Sequence, residues 1–233
     1  MKSFDELKKI NMADAKAKLK EGLTPDLLII NSINTLEELD VQINSLSMRL
    51  KDWFGFVNPG LVRDLKDYSV LAKVILEEYK ESEYGVSIKK EEEDFLKEFA
   101  LSLKKLLDFR HYTEKYLEKI IKDYMPNFSY LGGIRISAKL LREARSLRRL
   151  ATMQSSTIQL LGAEKALFRH IKTGAKSPKY GFVLSHSIVK DSKDKGKAAR
   201  LLSDKLSMCA RLDYFKGEFK ASEYEAEIMA KLK

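Results

Sequence analysis

The sequence predicts an all-α protein with an antiparallel coiled-coil hairpin, a globular helical domain and at most one short extended segment. Of its 233 residues, 44% are hydrophobic and 33% are charged, and only four are proline. This composition suits a helix-rich protein. Apolar residues also recur at spacings of three and four along most of the chain, which is the period of an amphipathic helix.

Start signals predict the first helices. Residues 3–6 match a capping box, Ser3 with Glu6, and begin a helix that ends near Gly22. Thr24-Pro25 begins a short helix toward Asn31. A second capping box, at Thr35 and Glu38, begins the next helix. Its predicted inner face is Ile33, Leu36, Ile43, Leu46, Leu50 and Trp53.

Two amphipathic segments after the break at Asn58-Pro59-Gly60 predict the coiled-coil hairpin. The outgoing helix runs from Leu61 to Tyr79, the tip lies near residues 84–87, and the return helix covers residues 95–124. Any part of the apolar face that the partner helix does not cover is expected to pack against a second copy of the chain. The aromatic residues interpreted as core are Phe95, Phe99, Phe109 and Tyr116.

The second half is also predicted to be helical. The one extended segment expected is Tyr180–Ser185, which is β-prone. The helices are expected at residues 131–150, 198–215 and 222–232, with a mobile charged loop at 190–197. The predicted domains are N-terminal helices (1–31), the hairpin (32–125), the globular domain (126–220) and a C-terminal helix (221–233).

Positive charge is concentrated in residues 128–186. This segment holds eleven basic residues against Glu143 and Glu164, and its excess equals the net charge of +9 of the whole chain. Localised charge of this size indicates a polyanionic partner, and nucleic acid is the better candidate. A membrane surface would also require an exposed apolar face with aromatic anchors, which the pattern does not demand.

The segment SSTIQLLGAEKALFRH (residues 155–170) combines a glycine turn, a helix start and a basic face. Gly162 permits a tight turn, and free backbone N–H groups at the following helix start suit a phosphate oxygen. Gly174 is a predicted C-terminal cap. The apolar positions of this helix are Ala166, Leu167, Phe168 and Ile171, and its basic face is Lys165, Arg169 and Lys172. The alternative interpretation, which assigns no binding role, is an amphipathic helix whose basic side chains face water.

The residues needed for catalysis or for a metal site are not evident. His111, His170 and His186 lack metal-ligand spacing, and no phosphate-binding glycine loop is present. Cys209 is the single cysteine and is interpreted as buried packing. No cofactor and no catalytic residue are predicted. A charged start without an apolar leader and the absence of a long apolar run predict a cytoplasmic protein that does not enter a membrane.

Residues 155–170, with Thr173-Gly174 and Pro178-Lys179, resemble the central motif of the Nop family. Pro126-Asn127, KAAR (197–200) and ARLDYF (210–215) extend the resemblance, which covers residues from about 23 to 217. The family implies an all-α scaffold with a self-associating coiled coil. Its Nop domain, which corresponds here to the globular domain, grips a kink-turn RNA that is already bound by a small core protein of the ribosomal L7-like family.

The resemblance implies a site in this sequence. The helix start at Gly162, Ala163, Glu164 and Lys165 should abut the RNA stem. Beside it the resemblance places Arg169, His170, Lys172, Lys176 and Lys179. Weaker candidates for phosphate contacts are Lys139, Arg142, Arg145, Arg148 and Arg149.

Four departures from the family pattern qualify these implications. Only about twenty residues precede the match, where the family has a fibrillarin-binding domain. Fibrillarin is therefore a doubtful partner of this chain alone, and recruitment through a separately encoded chain is the alternative. Met153-Gln154 replaces a Met-Pro, and Tyr180 replaces a histidine. Residues 143–146 replace a glycine-rich Ala-Gly-Gly segment, and the extra arginine suggests stronger and less selective phosphate contact.

The predicted function is therefore a non-catalytic RNA-binding scaffold of a box C/D ribonucleoprotein. It binds box C/D guide RNA with the kink-turn-binding core protein and supports guided 2'-O-methylation by placement. The alternative is a coiled-coil adaptor, or a general nucleic-acid-binding protein without kink-turn specificity. An adaptor would bind RNA weakly and with little dependence on salt.

Overall fold

A computed structural model describes residues 4–65, 68–77 and 82–232 of the chain. Within these residues it is all-α, as predicted, and contains no strand. The helices of the first half are α1 (Phe4–Gly22), α2 (Pro25–Val57), α3 (Pro59–Asp64), α4 (Tyr68–Glu77) and α5 (Lys90–Tyr124). Those of the second half are α6 (Pro126–Gly132), α7 (Ile134–Ala144), α8 (Leu147–Thr152), α9 (Ser155–Leu160), α10 (Glu164–Thr173), α11 (Ser187–Lys190), α12 (Lys195–Tyr214) and α13 (Ala221–Leu232).

The chain divides into two compact units, Met1–Ile33 with Leu117–Lys233, and Asn34–Tyr116. The four-part domain division expected from the sequence stays a prediction. The predicted capping-box residue Ser3 and the predicted helix position Tyr79 lie outside the described residues. No described helix is long and apolar enough to cross a bilayer.

The unit Asn34–Tyr116 is built around segments of the two long helices. Leu39, Ile43, Leu50 and Phe54 of α2 share a core with α5 residues such as Leu96 and with parts of α3 and α4. The segments run antiparallel, because Asp40 contacts Arg110 at 2.6 Å while Trp53 lies 5.3 Å from Phe95 between ring centroids. This arrangement is compatible with a coiled-coil hairpin, but these contacts pair α5 with α2, whereas the prediction paired the return helix with the outgoing helix over residues 61–79.

Several predicted boundaries are wrong. The helix from Pro25 does not stop near Asn31 but continues to Val57. The Ser32 hydroxyl donates to the Leu28 carbonyl within this helix, so that Ser32 is accommodated without a break. The outgoing helix is divided into α3 and α4, since Leu65 adopts an extended backbone. The predicted turn at the tip is confirmed at residues 83–85. Helix α12 begins at Lys195, where Asp194 accepts from the N–H groups of Gly196 and Lys197.

The predicted aromatic core of the return helix is largely wrong. Phe95 is 53% exposed, and Phe109 and Tyr116 are also exposed, whereas Leu96, Ala100 and Leu103 are buried. On α2 the predicted inward residue Trp53 is half-exposed, and its neighbour Phe54 is buried. The unit therefore presents more aromatic surface than its own helices cover.

Helix α12 is the centre of the unit formed by Met1–Ile33 and Leu117–Lys233. It packs against α6, α8, α9, α11 and α13 and buries Leu202, Leu206 and the predicted packing residue Cys209. Near its C-terminus, Asp213 accepts from the backbone N–H groups of Asn127 and Phe128 at 3.0 and 2.8 Å. This carboxylate satisfies two donors at the start of α6, where Met125 supplies no side-chain cap.

The predicted helix over residues 131–150 is interrupted twice. Gly133 has a φ of +72°, and Arg145 has a φ of +69° between α7 and α8. The predicted extended segment is also wrong, because Phe182–Ser185 forms a 3-10 helix. With no strand among the described residues to pair with, this β-prone run instead buries Val183 in the helical core.

Candidate nucleic-acid interface

The turn before α10 has the geometry that the sequence predicts. Gly162 has a φ of +89°, a left-handed conformation that L side chains rarely adopt. A Cβ at this position would also lie 2.7 Å from ring atoms of Phe182. Two independent constraints therefore require glycine here.

Helix α10 follows this turn without a side-chain cap. Ala163 occupies the N-cap position and offers no side-chain acceptor. The Glu164 carboxylate reaches back and accepts from the Gly162 N–H at 2.7 Å. The first free N–H groups of such a helix can therefore donate to an oxygen atom of a ligand. Gly174 ends the helix with a φ of +68°, which confirms the predicted cap.

The basic face of α10 is exposed. Lys165, Arg169 and Lys172 are all solvent-exposed, as are Lys176 and Lys179 beyond the helix. None of these five side chains forms an ion pair with another residue in the described part of the chain. His170 is less available, because its Nδ1 contacts the Ala175 carbonyl.

The apolar positions predicted for α10 do not form a buried face. Phe168 is 69% exposed and Ile171 is 73% exposed, and no residue of the helix is buried. At 100° per residue these two side chains border the basic stripe on one side. The helix therefore exposes a basic face and an apolar face side by side, which the amphipathic-core interpretation did not anticipate.

A second contact, which sequence reasoning missed, holds the segment 179–182 against the turn. The N–H groups of Gly181 and Phe182 donate to the carbonyls of Gln159 and Leu161 at 2.7 and 2.8 Å. The Gln159 side chain donates to the Lys179 carbonyl at 2.6 Å. A Cβ at Gly181 would lie 1.8 Å from the Leu161 oxygen, so only glycine allows this approach.

Phe182 also connects the turn to α7. Its ring lies 5.7 Å from Lys139 Nζ and 5.9 Å from Arg142 Cζ, within the range of cation–π attraction. Arg142 Nε also donates to Glu143 at 3.1 Å. These two predicted phosphate contacts are therefore engaged within the protein, whereas Arg145, Arg148 and Arg149 are exposed.

A cleft of about 530 Å³ adjoins this segment. It is lined in part by Gln159, Lys179, Lys197 and Arg200. Lys197 Nζ is already bound to the Lys231 carbonyl at 2.7 Å. Asp194 lies in the same cleft. Its pKa is lowered, mainly because its carboxylate accepts a hydrogen bond from the Lys197 backbone N–H. Arg200, which the prediction of the site did not include, and Lys179 are left facing solvent.

His186 and Cys209 have structural roles in the folded chain. His186 caps α11 by accepting from the Ile188 N–H at 3.2 Å, and burial lowers its pKa. Burial raises the pKa of the Cys209 thiol to about 12, which disfavours the reactive thiolate. Among the described residues, no group of histidine, cysteine, aspartate and glutamate is arranged to hold a metal ion.

Residues 35–233 match the family model for Nop, described as "snoRNA binding domain, fibrillarin". The chain belongs to the Nop family. It is 37% identical over 221 residues to nucleolar protein 56 of Dictyostelium discoideum, covering 82% of this chain and 41% of that protein. It is 32% identical over 225 residues to an uncharacterized NOP5 family protein of Methanocaldococcus jannaschii, covering 85% and 54% respectively.

The fold of this Nop-family chain is also similar to a solved structure. One chain in the crystal structure of a fibrillarin/Nop5p complex matches with a TM-score of 0.61 and 26% identity, covering 99% of this chain and 79% of that one. The chain thus spans about half the length, or less, of the curated relatives described above.

Proposed function

We propose that this protein is an RNA-binding scaffold of a box C/D small ribonucleoprotein. It binds a kink-turn RNA together with the small core protein on that RNA, and it supports guided 2'-O-methylation by placing the components without catalysing a step. The observation that carries the proposal is α10, which exposes a basic face and an apolar face side by side. Membership of the Nop family and the relatives named nucleolar protein 56 support this assignment.

The basic face supplies the RNA contact. Lys165, Arg169 and Lys172 share one side of α10 and have no competing carboxylate among the described residues. The uncapped start of the helix, at Ala163 and Glu164, adds backbone donors. Contacts of this kind read backbone position and shape rather than base sequence. They fit an RNA recognised by its fold, such as a kink-turn.

The apolar face supplies the protein contact. Phe168 and Ile171 would gain by removal from water, at about 25 cal/mol per Å² of buried apolar area, but they find no cover within the described chain. Polyanionic RNA offers little apolar surface to these side chains. A protein seated on the RNA next to the basic stripe would cover both, so neither partner alone completes the interface.

A pair of charge reversals tests the RNA contact. Lys165→Glu combined with Arg169→Glu should weaken binding to the RNA–core-protein complex and leave the thermal unfolding midpoint unchanged, since both side chains are exposed. The matched control is Lys16→Glu with Lys20→Glu, an exposed pair with the same spacing on α1, which should bind as the unaltered chain does. Normal affinity in the first variant would disprove the proposed site.

The alternative is a coiled-coil adaptor, or a general nucleic-acid-binding protein without kink-turn specificity. The exposed aromatic residues of α5 favour a protein-interaction role for that helix. They are compatible with the scaffold as well, through self-association of two chains. Binding to duplex RNA and to kink-turn RNA with equal affinity would favour the alternative.

A further inference from the structure

The C-terminal end of α12 carries an apolar stripe that its own chain leaves partly uncovered. Met208, Leu212 and Phe215 follow one another at spacings of four and three, so they share one face of the helix. Met208 and Phe215 are exposed, Phe215 to 76%. The stripe forms one wall of a groove of about 280 Å³, and Tyr224 of α13 lines it as well. The groove therefore lies between two helices.

The loop that joins these two helices is firmly held. The side-chain oxygen of Asn127 accepts from the backbone N–H groups of Lys220 and Ala221 at 2.7 and 3.2 Å. The Gly217 N–H donates to the Leu212 carbonyl at 2.8 Å. The shape of the groove is thus fixed within the chain itself, so that little conformational freedom is lost when a partner binds.

The loop and its surroundings also expose a set of aromatic side chains. The ring of Tyr214 lies 5.1 Å from that of Phe215, and the ring of Phe219 lies 5.4 Å from that of Tyr130. All four side chains are exposed. Aromatic residues, methionine and arginine are the side chains that are enriched where proteins contact one another. Their concentration here indicates an interaction surface.

The charge of the groove is positive. Arg211 lines it and is exposed, with its Nε donating to the Ala151 carbonyl at 3.3 Å. No carboxylate is among the described residues that line the groove. Neither Arg211 nor the neighbouring Lys216 forms an ion pair with a residue that the structure describes. Both cations are therefore available to carboxylates of a partner.

The shape and the chemistry of the groove together indicate one kind of occupant. A groove between helices that offers apolar contacts receives the apolar face of an amphipathic helix. A single strand of nucleic acid would stack its bases on aromatic faces along a basic track. Met208 and Leu212 offer no such face, and the two ring pairs meet edge to face, with interplanar angles of 75° and 88°.

We propose that this groove binds an acidic amphipathic helix of a partner protein. The apolar side chains of that helix enter between α12 and α13, and its carboxylates pair with Arg211 and Lys216. The groove is separate from the candidate RNA interface, because Phe215 follows Arg200 of the cleft by 15 residues, which is about 20 Å along a helix. This inference goes beyond the proposed function and does not depend on RNA binding.

A pair of synthetic peptides tests the charge preference of the groove. Both have leucine at the i, i+3, i+4 and i+7 positions of a helix, and they differ in carrying either glutamate or lysine beside the leucines. Titration of each labelled peptide with the full chain, followed by fluorescence anisotropy, should show that the glutamate peptide binds about tenfold more tightly or better. Its affinity should be unchanged when RNA and core protein are present. Equal affinity of the two peptides would overturn the inference.

Variants of the full chain then locate the contact. Phe215→Asp should weaken binding of the glutamate peptide about tenfold or more and retain the helical circular dichroism, since Phe215 is exposed. Arg211→Gln and Lys216→Gln should each reduce the preference for glutamate over lysine. Phe168→Asp is the matched control, because Phe168 is an equally exposed aromatic residue on α10, and it should bind the peptide as the unaltered chain does.

The remaining outcomes separate this inference from other occupants and from the proposed function. Unchanged peptide affinity in Phe215→Asp would overturn the inference. The same holds if Phe215→Asp abolishes binding to an oligouridylate strand or to anionic vesicles, or dissociates a dimer seen by light scattering, since the groove would then serve nucleic acid, a membrane or a second copy. If the peptide results hold while the chain fails to bind the RNA–core-protein complex, only the proposed function is wrong.

Discussion

The ring of Phe182 lies directly against Gly162, so that a single added carbon at Gly162 would approach the ring to 2.7 Å. The contact joins residues twenty positions apart and fixes the turn from which α10 starts. Phe182 in turn is held by its backbone hydrogen bond to Leu161 at 2.8 Å. The placement of the basic face of α10 therefore depends on one aromatic side chain that carries no charge.

Gly162→Ala should destabilise the protein more than Gly174→Ala. Both positions have a positive φ, so each alanine should cost about 1 kcal/mol through the backbone. Only Gly162 also faces a side chain, and overpacking there should add about 1–3 kcal/mol. Nothing lies within 4 Å of the Cβ position at Gly174, which makes it the control. Urea unfolding measures both variants, and equal losses would show that Phe182 does not constrain the turn.

The carboxylate of Asp213 should give the stability a pH dependence. Burial raises its pKa, although the N–H groups of Phe128 and Asn127 act in the opposite direction. With a folded-state pKa above the unfolded value, this group stabilises the protein fully below the unfolded pKa and loses that contribution as pH rises through the folded pKa. The difference in free energy of unfolding between the unaltered chain and Asp213→Asn should therefore fall as the pH rises above about 4. A difference that is constant or rises with pH would contradict the shift.

Self-association should depend on the exposed aromatic residues of α5. Phe95→Asp with Phe109→Asp alters side chains that are about half exposed, so the helical circular dichroism should be retained while light scattering reports monomers. Phe168→Asp on α10 is the control and should leave the dimer intact while weakening the complex with RNA and core protein. Dimers that persist in the double variant would place self-association elsewhere.

The Cys209 thiol should be inert in the folded protein. It is buried, and its pKa is raised to about 12, so little thiolate is present near neutral pH. A chromogenic disulfide reagent should detect one thiol after denaturation and react only slowly before it. Rapid reaction of the native chain would show that α12 opens readily.

Local periodicity predicts the turn and the helix geometry of the candidate interface, whereas ligand binding by these residues stays a prediction. The turn at Gly162, the cap at Gly174 and the shared face of Lys165, Arg169 and Lys172 follow from helix geometry alone. Phe182 could not be predicted, because its importance arises from packing across the fold. The choice between Trp53 and Phe54 was likewise open, since spacings of three and four after Leu50 both fit a helical stripe. The sequence predicted an end near Asn31 and a new helix at the capping box of Thr35 and Glu38, but this motif lies within the continuous helix α2.

The central claim is that RNA and core protein are recognised together, and a binding titration tests it most directly. A box C/D kink-turn RNA is titrated with the full chain, with and without its core protein, over a series of salt concentrations. If about six phosphates are contacted, binding with the core protein should be tight, with a slope of log K against log salt near −5. Binding without it should be much weaker. Equal, weak binding in both arms would contradict the account and leave a general basic protein.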